Sequence, residues 1–276
     1  SLDNDMYDLG IVIIPKTKID YLMVYPLIEQ MKRVCKKIGT MQEGPHWYFQ
    51  DYPLHQQIWF YNILMEMDVI FAHNQIDVEY YKGLTGKENV FQNKSLMIED
   101  KITPHIINTD ARDGVIIGGN FVWAYGGFDS YVVAKETEEQ IFAPVTGRMK
   151  EEERGMDINH LDWMYWSDWI NNLSRFKYGV QLGTPSAGTF NLNCAYHGIP
   201  CVGYDNVNTQ KVCHPDLSVD VGNIGKAKQL MNQLKIDKDF YKHCSENSKL
   251  KYYECFNEKQ YIYKMKKVMK EVLKSD

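Results

Sequence analysis

The sequence predicts an α/β protein of two domains, each built on a parallel sheet. Three observations carry this. Apolar runs of strand length alternate with longer amphipathic segments. Runs such as DLGIVIIP (Asp8–Pro15) and DVIFA (Asp68–Ala72) are apolar on successive residues, the pattern of strands covered on both faces. The pattern lapses around Lys101–Asp113, where polar residues and Pro104 intrude, and then restarts. The lapse divides the chain into a first domain at 1–108 and a second at 109–276.

In the first domain Asp8–Pro15 reads as a buried strand. Tyr25–Ile38 follows as a helix, with Leu27, Ile28, Met31, Val34 and Ile38 at helical spacing. Thr40–Gln42 is a short strand entering the loop Glu43-Gly44-Pro45-His46, and Leu54–Met67 is a helix. Asp68–Ala72 is the next strand, followed by a helix at Gln75–Gly83 and an extended segment at Asn89–Ile98. The second domain opens with a strand at Gly114–Gly118 and a loop rich in Gly and aromatics. A helix at Phe128–Glu138 and a strand at Gln140–Val145 come next. The charged run Arg148–Arg154 reads as solvated, Leu161–Leu173 as an amphipathic segment and Tyr178–Leu182 as a strand. Asn223–Leu273 is mostly helical.

Composition bounds the function. At 276 residues with 44% hydrophobic and 24% charged residues, the chain can bury a sizeable core. A net charge of -5 argues against general nucleic-acid binding. No apolar run reaches the ~20 residues of a membrane helix, and Ser1–Gly10 lacks a signal-peptide pattern. Six scattered cysteines without a CxxC pair read as reduced residues of a cytoplasmic protein. No metal is expected, since the one DxD-like triplet, Asp3-Asn4-Asp5, does not follow a hydrophobic strand.

The most informative stretch is LGTPSAGTFNLNCAYHGIPCVGYD, Leu182–Asp205. It holds a strand end, a small-residue turn, a short helix at Ser186–Tyr196, a Gly-Ile-Pro break and a second strand. Ser186, Ala187, Gly188 and Thr189 leave backbone N–H groups free at a helix start, which suits an anion such as a phosphate. A compact αβ turn with no ligand fits the same residues.

Together with GVIIGGNFVWAYGGFD (Gly114–Asp129) and the helical tail carrying Asp239-Phe240-Tyr241 and Tyr252-Tyr253, this stretch resembles the GT-B glycosyltransferases. The resemblance implies two Rossmann-like domains facing a cleft. The acceptor-side domain would be shortened, and the second domain would bind a nucleotide-sugar donor and end in helices. The nucleotide sugar would be a substrate, so no cofactor is implied. The family's Arg and Lys of the first donor-domain loop fall here at Asn120 and Tyr125, and its two acidic positions at Pro185 and Asn193.

Donor contacts are expected from Ser186, Ala187, Gly188 and Thr189, with Gly119 and Asn120 after the first strand and Asn193 as a neutral hydroxyl partner. Arg148 follows the strand Gln140–Val145 and can grip phosphate oxygens bidentately, unless it is merely solvated beside Glu151–Glu153. Glu43, His46 and His73 follow strand ends and are the candidate bases for an acceptor hydroxyl. The leading expectation is a metal-independent glycosyltransferase. A nucleotide-sugar epimerase of the same fold and a binding or scaffold protein without catalysis are the alternatives. The acceptor and the oligomeric state stay open.

Overall fold

The computed structural model describes residues 6–15, 21–99, 102, 111–118, 121, 123–144, 153, 155–184 and 186–274. The chain forms two compact units, residues 1–94 with 261–276 and residues 95–260. The division falls at 94/95, ahead of the expected 108/109, and the end of the chain joins the first unit instead of the second. Packing explains the shift. Met97 and Ile102 are already buried against Ile170, Leu192 and Tyr252 of unit 2 before the polar stretch has passed.

Unit 1 holds a four-stranded parallel sheet in the order β1 (Tyr7–Ile14), β2 (Cys35–Gln42), β3 (Val69–Ala72), β4 (Val90–Gln92). Its helices are α1 (Tyr21–Val34), α2 (Trp47–Gln50), α3 (Leu54–Glu66) and α4 (Gln75–Thr85). Residues of β3 alternate between layers as the pleat requires. Ile70 and Ala72 face a core with Phe60, Ile63 and Leu64 of α3. Val69 and Phe71 face Met265, Val268 and Val272 of the final helix of the chain. The helix expected over Tyr25–Ile38 ends at Val34, and Cys35–Ile38 belong to β2. Here the ladder with β1, which pairs Cys35 with Tyr7, overrides the helical spacing.

Unit 2 holds six parallel strands: β5 (Asp113–Ile117), β6 (Ile141–Pro144), β7 (Asn159–Leu161), β8 (Phe176–Gln181), β9 (Cys201–Tyr204) and β10 (Ser218–Val219). Their spatial order is β10-β9-β8-β5-β6-β7. Numbered from β5, this is the 3-2-1-4-5-6 order of dinucleotide-binding sheets, with the winding direction reversing between β5 and β8. The helices are α5 (Gly127–Ala134), α6 (Trp166–Leu173), α7 (Thr189–His197), α8 (Asn208–Cys213), α9 (Ile224–Ile236) and α10 (Lys238–Cys255), before α11 (Glu258–Val272) returns to unit 1. Val115 and Ile117 pack with Val133 of α5 and Leu230 of α9. Ile116 points the other way, to Leu173, Phe190 and Cys194. Edge strand β7 ends at Leu161, where the expected amphipathic segment begins; an edge needs no continuous apolar run. Among the described residues no helix is long and apolar enough to cross a membrane. The chain is thus an α/β protein with two parallel sheets, the first of four strands among the described residues.

One contact in unit 2 tolerates no side chain. Gly126 has φ +60°, and a Cβ on it would stand 1.4 Å from the carbonyl oxygen of Leu182. Both the left-handed backbone and the collision oppose any other residue. Gly126→Ala should destabilise unit 2 by more than about 2 kcal/mol, read as a lower midpoint in urea, whereas Gly155→Ala, with open space around it, should not.

Candidate functional site

In an open α/β sheet, ligands bind beyond the carboxyl ends of the strands, where the winding reverses. In unit 2 that point lies between the loops after β5 and β8. The two loops are locked together. Thr184 donates both its N–H, at 2.8 Å, and its hydroxyl, at 2.6 Å, to the Ala124 carbonyl. The Leu182 N–H donates to the Ser130 hydroxyl of α5 at 2.9 Å. Gly183 lies directly over Tyr125, where a Cβ would come within 2.7 Å of the Tyr125 carbonyl carbon. Gly118, at the end of β5, leaves room for the Phe190 ring of α7, which a Cβ would meet at 2.3 Å. That glycine admits a core side chain, so its role is packing.

These contacts set α7 with its first turn at the switch point. Ser186 is buried, and its hydroxyl accepts the Gly188 N–H at 3.2 Å. Gly188 stands at φ +73°, which starts the helix at Thr189 and not at Ser186. A Cβ on Gly188 would meet the Thr209 hydroxyl at 2.0 Å. The carbonyls of the turn face the protein: Ala187 accepts from the Ser95 hydroxyl, and Gly188 accepts from Thr209 at 2.8 Å and from the Leu192 N–H at 3.1 Å. The N–H groups of Thr189, Phe190 and Asn191 have no acceptor among the described residues. They are the orphan donors of a helix start, at its positive end. Asn193, one turn further on, is buried at 5% exposure. Gly119, Asn120 and Arg148, with Pro185 and the triplet Asp3-Asn4-Asp5, lie outside the described residues.

Behind the turn sits a polar network that the sequence reading missed. The Asn191 side-chain NH2 donates to Gln210 Oε1 at 2.8 Å, and Gln210 Nε2 donates to the Cys201 carbonyl at 2.9 Å. The fully buried His214 donates from Nε2 to the Asn191 carbonyl at 3.0 Å. That bond fixes the tautomer and leaves Nδ1 buried with no partner among the described residues. Burial pushes the His214 pKa down to about 4, and the bond to Asn191 opposes it. Gln210 and His214 fall in NTQKVCH, an unremarkable short helix in sequence, while Asn191 lies in α7.

Unit 1 gathers its three candidate bases at the carboxyl edge of its own sheet. Glu43 is exposed, and its N–H donates to the Ile14 carbonyl at 3.0 Å, at the end of β1. His73 Nε2 donates to the Glu43 carbonyl at 3.0 Å, while its Nδ1 is buried and unpartnered among the described residues. Through this bond His73 ties the loop after β3 to the loop after β2. His46 differs. Its Nδ1 lies 2.6 Å from Asp77 Oδ1, its backbone N–H donates to the same oxygen at 2.9 Å, and its ring stacks on Tyr80 at 4.6 Å. Nε2 has no hydrogen-bond partner among the described residues.

Asp77 is fully buried at the start of α4, where it also accepts from the Asn74 N–H and side-chain amide at 3.1 and 2.9 Å. Desolvation is the largest influence on its pKa and acts upward. The bonds from His46 and Asn74 outweigh it, and the carboxyl titrates below its ordinary value. The carboxylate therefore orients the ring and holds the proton on Nδ1. The reading also passed over Asp77, although Asn74-Gln-Ile-Asp77 is a capping-box spacing that could have found it.

The buried imidazole generates a pH prediction. With a folded pKa of about 4 against 6.5 unfolded, only the unfolded chain binds this proton between those values. Its effect is nil above about pH 7, and stability falls as pH drops toward 4, by ~2 kcal/mol at pH 5. His214→Gln should flatten the pH dependence of unfolding between 7 and 5; an unchanged slope would show that His214 takes up its proton while folded.

No family model matches the sequence, and no curated protein matches it. Solved structures do. HepE of Anabaena, in complex with UDP and glucose, superposes with a TM-score of 0.73 at 10% identity, covering 96% of this chain and 78% of that one. A sucrose-phosphate synthase of Thermosynechococcus elongatus gives 0.72 at 12% identity, over 98% of this chain and 75% of that one. TarM of S. aureus, in complex with UDP, gives 0.69 at 10% identity, over 90% of this chain but only 53% of its own length. At such identities the likeness establishes the fold, and that fold is GT-B.

Proposed function

We propose that the protein is a glycosyltransferase that binds a nucleotide-sugar donor on unit 2 without a metal ion and draws its base for the acceptor from unit 1. One observation carries this reading: the first turn of α7 lies at the switch point with its carbonyls engaged and the N–H groups of Thr189, Phe190 and Asn191 without an acceptor among the described residues. A departing nucleoside diphosphate develops negative charge, which such pre-aimed donors stabilise. The complexes of HepE with UDP and glucose and of TarM with UDP support the choice of ligand class.

In this reading Ser186, Ala187, Gly188 and Thr189 cradle the diphosphate, and Arg148 adds the cation that Asn120 and Tyr125 do not supply. Gly119 and Asn120 border the donor, and Asn193 contacts it as a neutral partner. His46 accepts the acceptor proton on Nε2 while Asp77 keeps the other proton on Nδ1 and stabilises the imidazolium that forms. Asp77 is a positioning residue. Six cysteines that form no disulfide, five of them buried, fit a reducing compartment, and we place the protein in the cytoplasm.

The test is thermal unfolding against a panel of nucleotide sugars of different bases, followed by donor hydrolysis. At least one donor should raise the midpoint, and stabilisation by none would sink the proposal. Arg148→Ala should weaken donor binding by about tenfold or more with little change in the unliganded midpoint. His46→Gln should keep donor affinity and lower turnover by about 10²–10⁴. If turnover survives in His46→Gln, the base is another group.

A further inference from the structure

The opposite edge of the second sheet holds a cavity that the proposed reaction does not use. It measures ≈ 680 Å³ and lies where β8 begins, at Lys177 and Tyr178, between the end of α9 and the first turns of α10. The six residues of β8 at ~3.3 Å each separate it by about 20 Å from the loop that leads to α7. Five cations line it: Arg112, Lys177, Lys235, Lys238 and Lys242.

Carboxylates balance only part of this charge. Lys177 meets Glu139 at 3.4 Å, Lys235 meets Glu138 at 2.6 Å, and Lys242 stands 3.9 Å from Glu246. Arg112 and Lys238 have no carboxylate partner among the described residues. Arg112 is buried and rigidly held, donating to the carbonyls of Ser174, His197 and Gly198 at 3.1, 2.6 and 3.1 Å. The neighbouring Asp237 is turned into the helix, capping the N–H groups of Asp239 and Phe240. In a chain of net charge -5, the result is a local positive hollow with an apolar floor of Leu234, Tyr178 and Tyr241.

We propose that this cavity binds a phosphorylated small molecule, of the size of a nucleotide or a sugar phosphate. The volume suits such a ligand. The mobile ammonium groups can meet phosphate oxygens directly, the carbonyl-bound Arg112 adds a fixed positive charge behind them, and the tyrosines and leucine provide a face for a ring. The ligand would also bear on α7, because Arg112 holds the carbonyls that close its carboxyl end. This second site is thus placed to act as an effector site.

The experiment is lysine acylation read by mass spectrometry, with pyrophosphate, ATP and glucose 6-phosphate in separate arms. At about ten times its Kd a bound ligand leaves roughly one site in eleven empty, so Lys238 and Lys242 should lose about tenfold in reactivity. Lys226, exposed at the far end of α9, should not change. Lys242→Glu should abolish the protection of Lys238. Protection by ATP or by glucose 6-phosphate alone would distinguish a nucleotide from a sugar-phosphate ligand. Absence of protection in all three arms, or equal loss at Lys226, would overturn the proposal. A donor bound at the α7 turn does not shield these lysines, so failure of the glycosyltransferase reading would leave this result standing.

Discussion

The second unit depends on one close crossing of two backbones. The loops after β5 and β8 meet where Gly126 lies against the Leu182 carbonyl and Gly183 lies over Tyr125, with Thr184 bonded twice to Ala124. Two glycines allow an approach that no other residue pair permits. The crossing fixes the starts of α5 and α7 on the neighbouring strands at which the winding of the sheet reverses. Everything proposed for the donor follows from that placement.

The two ends of this sheet offer negative charge two different kinds of partner. At the carboxyl edge the attraction comes from backbone dipoles, oriented by the folding of the α7 turn and independent of pH. At the amino edge it comes from side-chain cations, partly neutralised by Glu138, Glu139 and Glu246 and open to screening by salt. Fixed dipoles suit an anion that forms and leaves during a reaction, while flexible lysines suit one that equilibrates with its pool. Unit 1 uses a third device. The capping carboxylate Asp77 serves both the start of α4 and the His46 ring, so the fold of a helix and the orientation of an imidazole share one group.

Much of this was legible in the sequence. The apolar runs located β1, β3, β5 and β8, because strands covered on both faces leave little room for polar residues. Small residues at Ser186–Gly188 located the α7 turn, since the left-handed Gly188 has few substitutes. What escaped was set by tertiary partners. The continuation of Tyr25–Val34 into strand at Cys35 is decided by β1, and β7 consists of Asn-His-Leu, which carries no strand signal of its own. His46 stood out as a loop histidine, but Asp77, 31 residues away, could be recognised as its partner only through the fold. His73 stood out in the same way, and its bond to the Glu43 carbonyl likewise emerged only in the fold. The cations of the amino edge come from three separate segments, Arg112, Lys177 and the stretch Lys235–Lys242, which only the fold brings together.

The final helix gives the chain an order of events. Met265, Val268 and Val272 cover Val69 and Phe71, which are almost wholly shielded with α11 packed on them beside Leu9, Met41 and Phe91. The first sheet is therefore made before unit 2 and covered after it. As the chain leaves the ribosome, one apolar face of unit 1 waits bare while all of unit 2 is synthesised, and unit 2 has every described strand and helix it needs before that face is closed. A nascent chain halted anywhere before α11 carries an exposed parallel sheet, the kind of surface that chaperones hold. The N-terminal residues 1–94 expressed alone would present the same face permanently and would gather into aggregates.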